Sequence, residues 1–102
     1  MHPAVASKEA QIVELCRAHH VLWLDLFGSA TGDGFDPKSS DADFLVEFDD
    51  SPEANSFADY FDLKYGLESL LGRPVDLVMP SAVRNPVLLA AIARQRIPLY
   101  GA

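Results

Sequence analysis

Alternation of apolar and polar residues is sharpest from Asp41 to Phe48. Asp41, Asp43, Leu45 and Glu47 fall on one side and Ala42, Phe44, Val46 and Phe48 on the other. That period of two predicts a half-buried strand, its all-apolar side on the core and both aspartates together on the opposite side. Upstream, Val21–Phe27 is a near-continuous apolar run that stops at Gly28-Ser29 and predicts a more deeply buried strand. Between Ser7 and His20, Ile12, Val13, Leu15 and Cys16 recur at helical spacing. Ser7 is the expected N-cap, Glu9 sits in the first turn, and His19 and His20 suit the C-terminal end of the dipole. Adjacent positions on a helix point apart, so the two histidines read as cap or surface groups rather than metal ligands.

A second amphipathic helix is predicted over Asn55–Leu71. Phe57, Tyr60, Phe61, Lys64, Leu67 and Leu71 recur at three and four, with the aromatics assigned to the core. Asn55 or Ser56 caps it, Gly72 and Pro74 stop it, and Gly66 in its interior marks close packing. Val75–Met79 predicts a third strand with Val75, Leu77 and Met79 on one face and Asp76 and Val78 on the other. Asn85-Pro86 starts a further helix, Asn at the N-cap and Pro at the first helical position. Val87–Ala93 is apolar nearly all round, which predicts a helix either deeply buried or docked on another chain. Ile97, Leu99 and Tyr100 close the chain with a short strand. The order helix, strand, strand, helix, strand, helix, strand predicts an α/β (α+β) fold, a small mixed sheet flanked by about four helices.

Composition narrows the classes. At 102 residues, 49% hydrophobic and 23% charged, the chain is expected to form one globular domain over 1–102. No apolar run approaches the ~20 residues of a membrane span, and MHPAVASKEAQ lacks the basic-then-apolar layout of a signal peptide. The lone Cys16 excludes an internal disulfide and suits a reducing, cytoplasmic setting as a small core residue. The formal net charge of −7 argues against a protein that tracks nucleic-acid phosphates. Its distribution is uneven. Residues 33–76 carry twelve acids against Lys38, Lys64 and Arg73, whereas 77–102 carry Arg84, Arg94 and Arg96 and no acid. Asp49, Asp50, Glu53, Asp59 and Asp62 read as solvated surface, with a basic partner surface as the sharper alternative.

The chemistry concentrates around the two strands. Residues i and i+2 on a strand lie about 6–7 Å apart, so Asp41 and Asp43 repel by roughly 2–3 kcal/mol at an effective dielectric near 20. A cation between them turns that cost into a site, and hard oxygen ligands with room for phosphate and water suit Mg²⁺. Glycine at Gly28 allows close approach of backbone to a ligand, and Ser29 offers a hydroxyl and an N–H where a following helical turn favours phosphate. In the loop Ala30–Ser40, Lys38 is the one base, either a triphosphate contact or simply solvated. Asp76, flanked by apolar residues on a short strand, is the third carboxylate that calls for an explanation; a salt bridge at a sheet edge is its plainer one.

Taken together, LFGSATGDGFDPKSSDADFLVEF and the later GRPVDLVMP resemble the active-site signature of polymerase-β-like nucleotidyltransferases, in particular the minimal nucleotidyltransferase (MNT) domains of bacteria and archaea. Gly28-Ser29 match the first element, Asp41 and Asp43 the Asp-x-Asp element after an eleven-residue spacer, and Asp76 the third carboxylate. The resemblance covers nearly the whole chain and implies the nucleotidyltransferase fold. It implies that Asp41, Asp43 and Asp76 are catalytic and hold Mg²⁺, that Gly28 and Ser29 bind the nucleotide, and that ATP is co-substrate. It further implies an antitoxin that transfers AMP onto a HEPN-domain toxin, a helical and usually RNA-cleaving protein. Two alternatives stay open: nucleotidyl transfer to a small molecule such as an aminoglycoside, and a non-catalytic antitoxin that neutralises its partner by binding alone.

Overall fold

The computed structural model describes residues 3–28, 42–51, 56–93 and 96–101. Its elements run α1 (Pro3–Ala6), α2 (Glu9–Ala18), β1 (Val21–Phe27), β2 (Ala42–Phe48), α3 (Ser56–Leu71), β3 (Val75–Val78), a 3-10 turn (Pro80–Ala82), α4 (Pro86–Ala93) and β4 (Arg96–Tyr100). The strands form a mixed sheet in the order β3-β2-β1-β4. β1 lies antiparallel to both β2 and β4, while β2 and β3 are parallel. No described helix is long and apolar enough to cross a membrane.

The N-terminus departs from the expected single helix. Pro3 sits where proline favours a helix start, and a one-turn α1 forms first, Ser7 N–H donating to the Pro3 carbonyl at 3.0 Å. Ser7 therefore ends one helix instead of capping the next, and α2 begins after Lys8 with no side-chain cap. At the other end His20 adopts φ +60°, a left-handed turn that swings the chain into β1.

One face of the sheet is the core. Leu24 and Leu26 of β1, Ala42, Phe44 and Val46 of β2, Val75 and Leu77 of β3 and Leu99 of β4 pack with Ile12 and Cys16 of α2 and Leu63 and Leu67 of α3. The alternation in β2 places its apolar side there, as the sequence predicts. Burial holds the Cys16 thiol up at a pKa of about 12. Gly66 is a close-packing position, since a Cβ there would lie 2.9 Å from Leu15 Cδ2.

α3 is rotated from the expected orientation. Leu63 and Leu67 carry its buried side, with Tyr60, Leu70 and Leu71 half-buried against the core. Phe57 is 75% exposed and stacks at i, i+4 and i+8 with Phe61 and Tyr65 on the outer side. A run rich in aromatics satisfies two helical stripes, and the aliphatic one wins because it fills the sheet more closely. Asp59, read as solvated surface, is instead buried at 8% exposure, with His20 Nδ1 3.1 Å from its Oδ2.

Pairing directions make β3 and β4 run the same way from opposite edges, so the segment joining them has to cross the sheet. Its first turn, Pro80–Ala82, touches the face opposite the helical core. Ser81 Oγ donates to Glu47 Oε1 at 2.8 Å, and Glu47 belongs to that second face. α4 is capped as the sequence predicts, Asn85 Oδ1 accepting from Val87 N–H at 2.9 Å. It is not deeply buried: Val87 is 76% exposed, and Leu88 and Ala90 are exposed beside it.

Candidate active site

The second face is ordered in rows across the sheet. Register pairs Arg96 with Phe27, Phe27 with Asp43 and Asp43 with Asp76, so these four residues cross all the strands in one line. Residues opposite each other in a ladder point to the same side. Asp43 and Asp76 are thus lateral neighbours on parallel strands, Asp43 half-buried and Asp76 exposed at the sheet edge. Neighbouring strands lie about 4.8 Å apart, and two carboxylates at that distance repel by roughly 3 kcal/mol at an effective dielectric near 20.

β1 ends against this pair. Gly28 has φ +77°, and a Cβ at that position would lie 2.5 Å from Asp43 Oδ2. Glycine is required on both counts: the left-handed backbone, and a carboxylate lying directly on the turn. Ser29 and Asp41 lie outside the described residues, as does the loop that contains Lys38. Among the described residues no group of three metal-binding side chains occurs; those brought together are Asp43, Asp76 and the Gly28 turn. Two adjacent carboxylates beside the Gly28 turn fit a hard divalent cation that retains water or phosphate oxygens.

Below that row the same face holds a second charged group. Asp25, in the middle of the apolar run of β1, is only 6% exposed. Its Oδ2 accepts from Arg96 Nε at 2.6 Å and also meets Arg96 Nη2. The guanidinium lies 5.1 Å from the centre of the Trp23 ring. A buried carboxylate needs such a partner to stay charged. An acid inside a hydrophobic strand was the sequence signal for this pair; its partner could not be read, because β4 reaches β1 only after the chain has crossed the sheet. Beside Asp25, Leu45 is 1% exposed although it too faces away from the helical core.

The family model for the nucleotidyltransferase domain matches residues 9–99. A candidate protein adenylyltransferase of Methanocaldococcus jannaschii, MJ1379, is 33% identical over 96 residues, covering 86% of this chain and 94% of that protein. A solved structure described as a minimal nucleotidyltransferase superposes with a TM-score of 0.77 at 31% identity, covering 97% of both chains. A complex of tri-AMPylated HEPN toxin with MNT antitoxin from Shewanella oneidensis gives a TM-score of 0.66 at 25% identity, over 95% of this chain and 72% of the matched one. With the mixed sheet, the two in-register aspartates and the glycine turn already in place, these matches establish that the chain belongs to the nucleotidyltransferase domain family.

Proposed function

We propose that this protein is an Mg²⁺-dependent nucleotidyltransferase that moves AMP from ATP onto a HEPN-type partner protein and serves as the antitoxin of that pair. The observation that carries the reading is the lateral pairing of Asp43 with Asp76, beside a turn where only glycine fits against the Asp43 carboxylate. Membership of the family and the likeness to an MNT antitoxin in complex with an AMPylated HEPN toxin support it. The exposed apolar α4, in a segment with three arginines and no acid, suits a chain that works in a complex.

Asp41, Asp43 and Asp76 would hold the metal, which when bound neutralises charge on the transferring phosphate. Gly28 and Ser29 bind the triphosphate through backbone N–H groups and the serine hydroxyl. Asp76, exposed at the sheet edge, orients the partner's hydroxyl and accepts its proton. That oxygen attacks the α-phosphorus in line, the new O–P bond forms as the bond to pyrophosphate breaks, and pyrophosphate leaves.

The test is label transfer. Labelled ATP, Mg²⁺ and the co-expressed HEPN-type partner are expected to give covalent AMP on the partner, lost with EDTA and lost in Asp41→Asn. Transfer that survives Asp41→Asn overturns the assignment.

A further inference from the structure

The Asp25–Arg96–Trp23 group has no place in the metal and phosphate chemistry above, yet it stands on the same face, immediately below the row that ends in Asp43 and Asp76. We propose that it is the subsite for the nucleobase of the triphosphate. This rests on the nucleotidyltransferase reading and adds to it where the base goes and which groups hold it.

Three observations carry it. The first is shape. Arg96 lies with one side over Trp23, and its head is fixed by a carboxylate that is itself buried. A guanidinium within about 6 Å of a ring is held by cation–π attraction, and its planar outer side remains available for stacking. The Arg96 side chain is 38% exposed, so the plate is flat, cationic and accessible. The second is space. A cavity of about 300 Å³ is lined by Trp23, Asp25, Arg96, Pro98 and Gly101. That is the low end of ligand-pocket sizes and gives room for a base. Its floor is closely built: a Cβ at Gly101 would lie 2.8 Å from Trp23 Cβ. The third is reach. Asp25 is two positions back along β1 from Phe27, the ladder partner of Asp43. Two strand positions span about 6–7 Å, the interval that a ribose puts between a 5′-phosphate and its base.

Asp25 contributes indirectly. Arg96 Nε and Nη2 both meet Asp25 Oδ2, so the carboxylate fixes the guanidinium at the wall of the cavity that both residues line. Arg96 and Trp23 bind the base, and Asp25 positions Arg96.

Trp23 is the chain's single tryptophan, so its fluorescence reports on this subsite alone. The wild-type protein is titrated with Mg-ATP and with Mg-tripolyphosphate, which has the phosphates and no base, following fluorescence and heat together. ATP is expected to quench Trp23 and to bind at least tenfold more tightly than tripolyphosphate, which binds without quenching. Arg96→Lys, which keeps the charge beside Asp25 and loses the plate, is expected to lower ATP affinity severalfold and leave tripolyphosphate affinity unchanged. ATP binding with unaltered Trp23 emission overturns the subsite while the nucleotidyltransferase reading stands. So does an unchanged ATP-to-tripolyphosphate ratio in a folded Arg96→Lys. Failure of both ligands to bind overturns both. The wild-type titration decides the matter even if the variant does not fold.

Discussion

Asp25 and Asp43 face the same side of one sheet, on neighbouring strands, and the fold treats them oppositely. Asp25 is buried and carries its own counter-ion, Arg96, which the chain brings back across the sheet. Asp43 stands in register with a second carboxylate, Asp76, and against the backbone of Gly28. A charge neutralised by the protein's own side chain is finished within the fold. Two like charges set side by side cost roughly 3 kcal/mol at an effective dielectric near 20, a cost that a cation held between them would remove. On the proposed function, the first pair positions and the second holds the metal.

The strongest way to break that contrast is to replace one member of the carboxylate pair. Asp43→Asn should lower transfer of AMP on the order of 10²–10³-fold, as loss of one preorganised electrostatic group does. It should at the same time hold or raise the melting temperature, because a repulsion is removed. A clear loss of stability, measured by calorimetry without metal, would mean that Asp43 is a structural acid like Asp25. The next largest effect has the opposite sign. Arg96→Ala leaves Asp25 buried with no counter-ion and should cost about 2 kcal/mol, less than the 3–5 of a fully buried pair because Arg96 is partly exposed. Asp25→Leu combined with Arg96→Met should recover most of that loss in urea unfolding, since neither charge is then left alone.

What the sequence made legible follows the same division. β2 alternates so regularly that its core side and its acid side are both readable, and Asp76 was locatable because an acid between Val75 and Leu77 breaks an apolar strand. Local signals also fixed the cap of α4, where Asn85 and Pro86 act within one turn. Long-range compensation was not legible. Nothing near Asp25 announces Arg96, seventy-one positions later, and nothing near Asp59 announces His20. The rotation of α3 is not legible locally, because Phe57, Phe61 and Tyr65 offer a stripe as regular as that of Leu63 and Leu67, and only the sheet decides between them. The apolar α4 left two outcomes open, and the exposure of Val87 and Leu88 removes the deeply buried one.

A third acid sharpens the comparison with the smallest effect. Asp49 follows β2, and its Oδ1 accepts the Ser51 N–H at 3.0 Å. The Ser51 backbone N–H, and after it the Ser51 hydroxyl, holds this carboxyl below its ordinary value of 3.8, with a further contribution from His20. Because the folded value lies below the unfolded one, the group stabilises the fold at pH above the unfolded value and the contribution is lost as pH falls from about 4 through the folded value. Compensation here comes chiefly from local hydrogen bonds to Ser51, with the smaller charge contribution of His20 behind them. Ser51→Ala removes the hydroxyl and keeps the N–H, so an NMR titration of Asp49 should show the carboxyl pKa rising part of the way and no further. A native Asp49 that already titrates at the ordinary value would remove it from the set of acids that the fold itself satisfies. Addition of Mg²⁺ should leave its titration unmoved while displacing that of Asp43, the acid that the proposed function assigns to the metal.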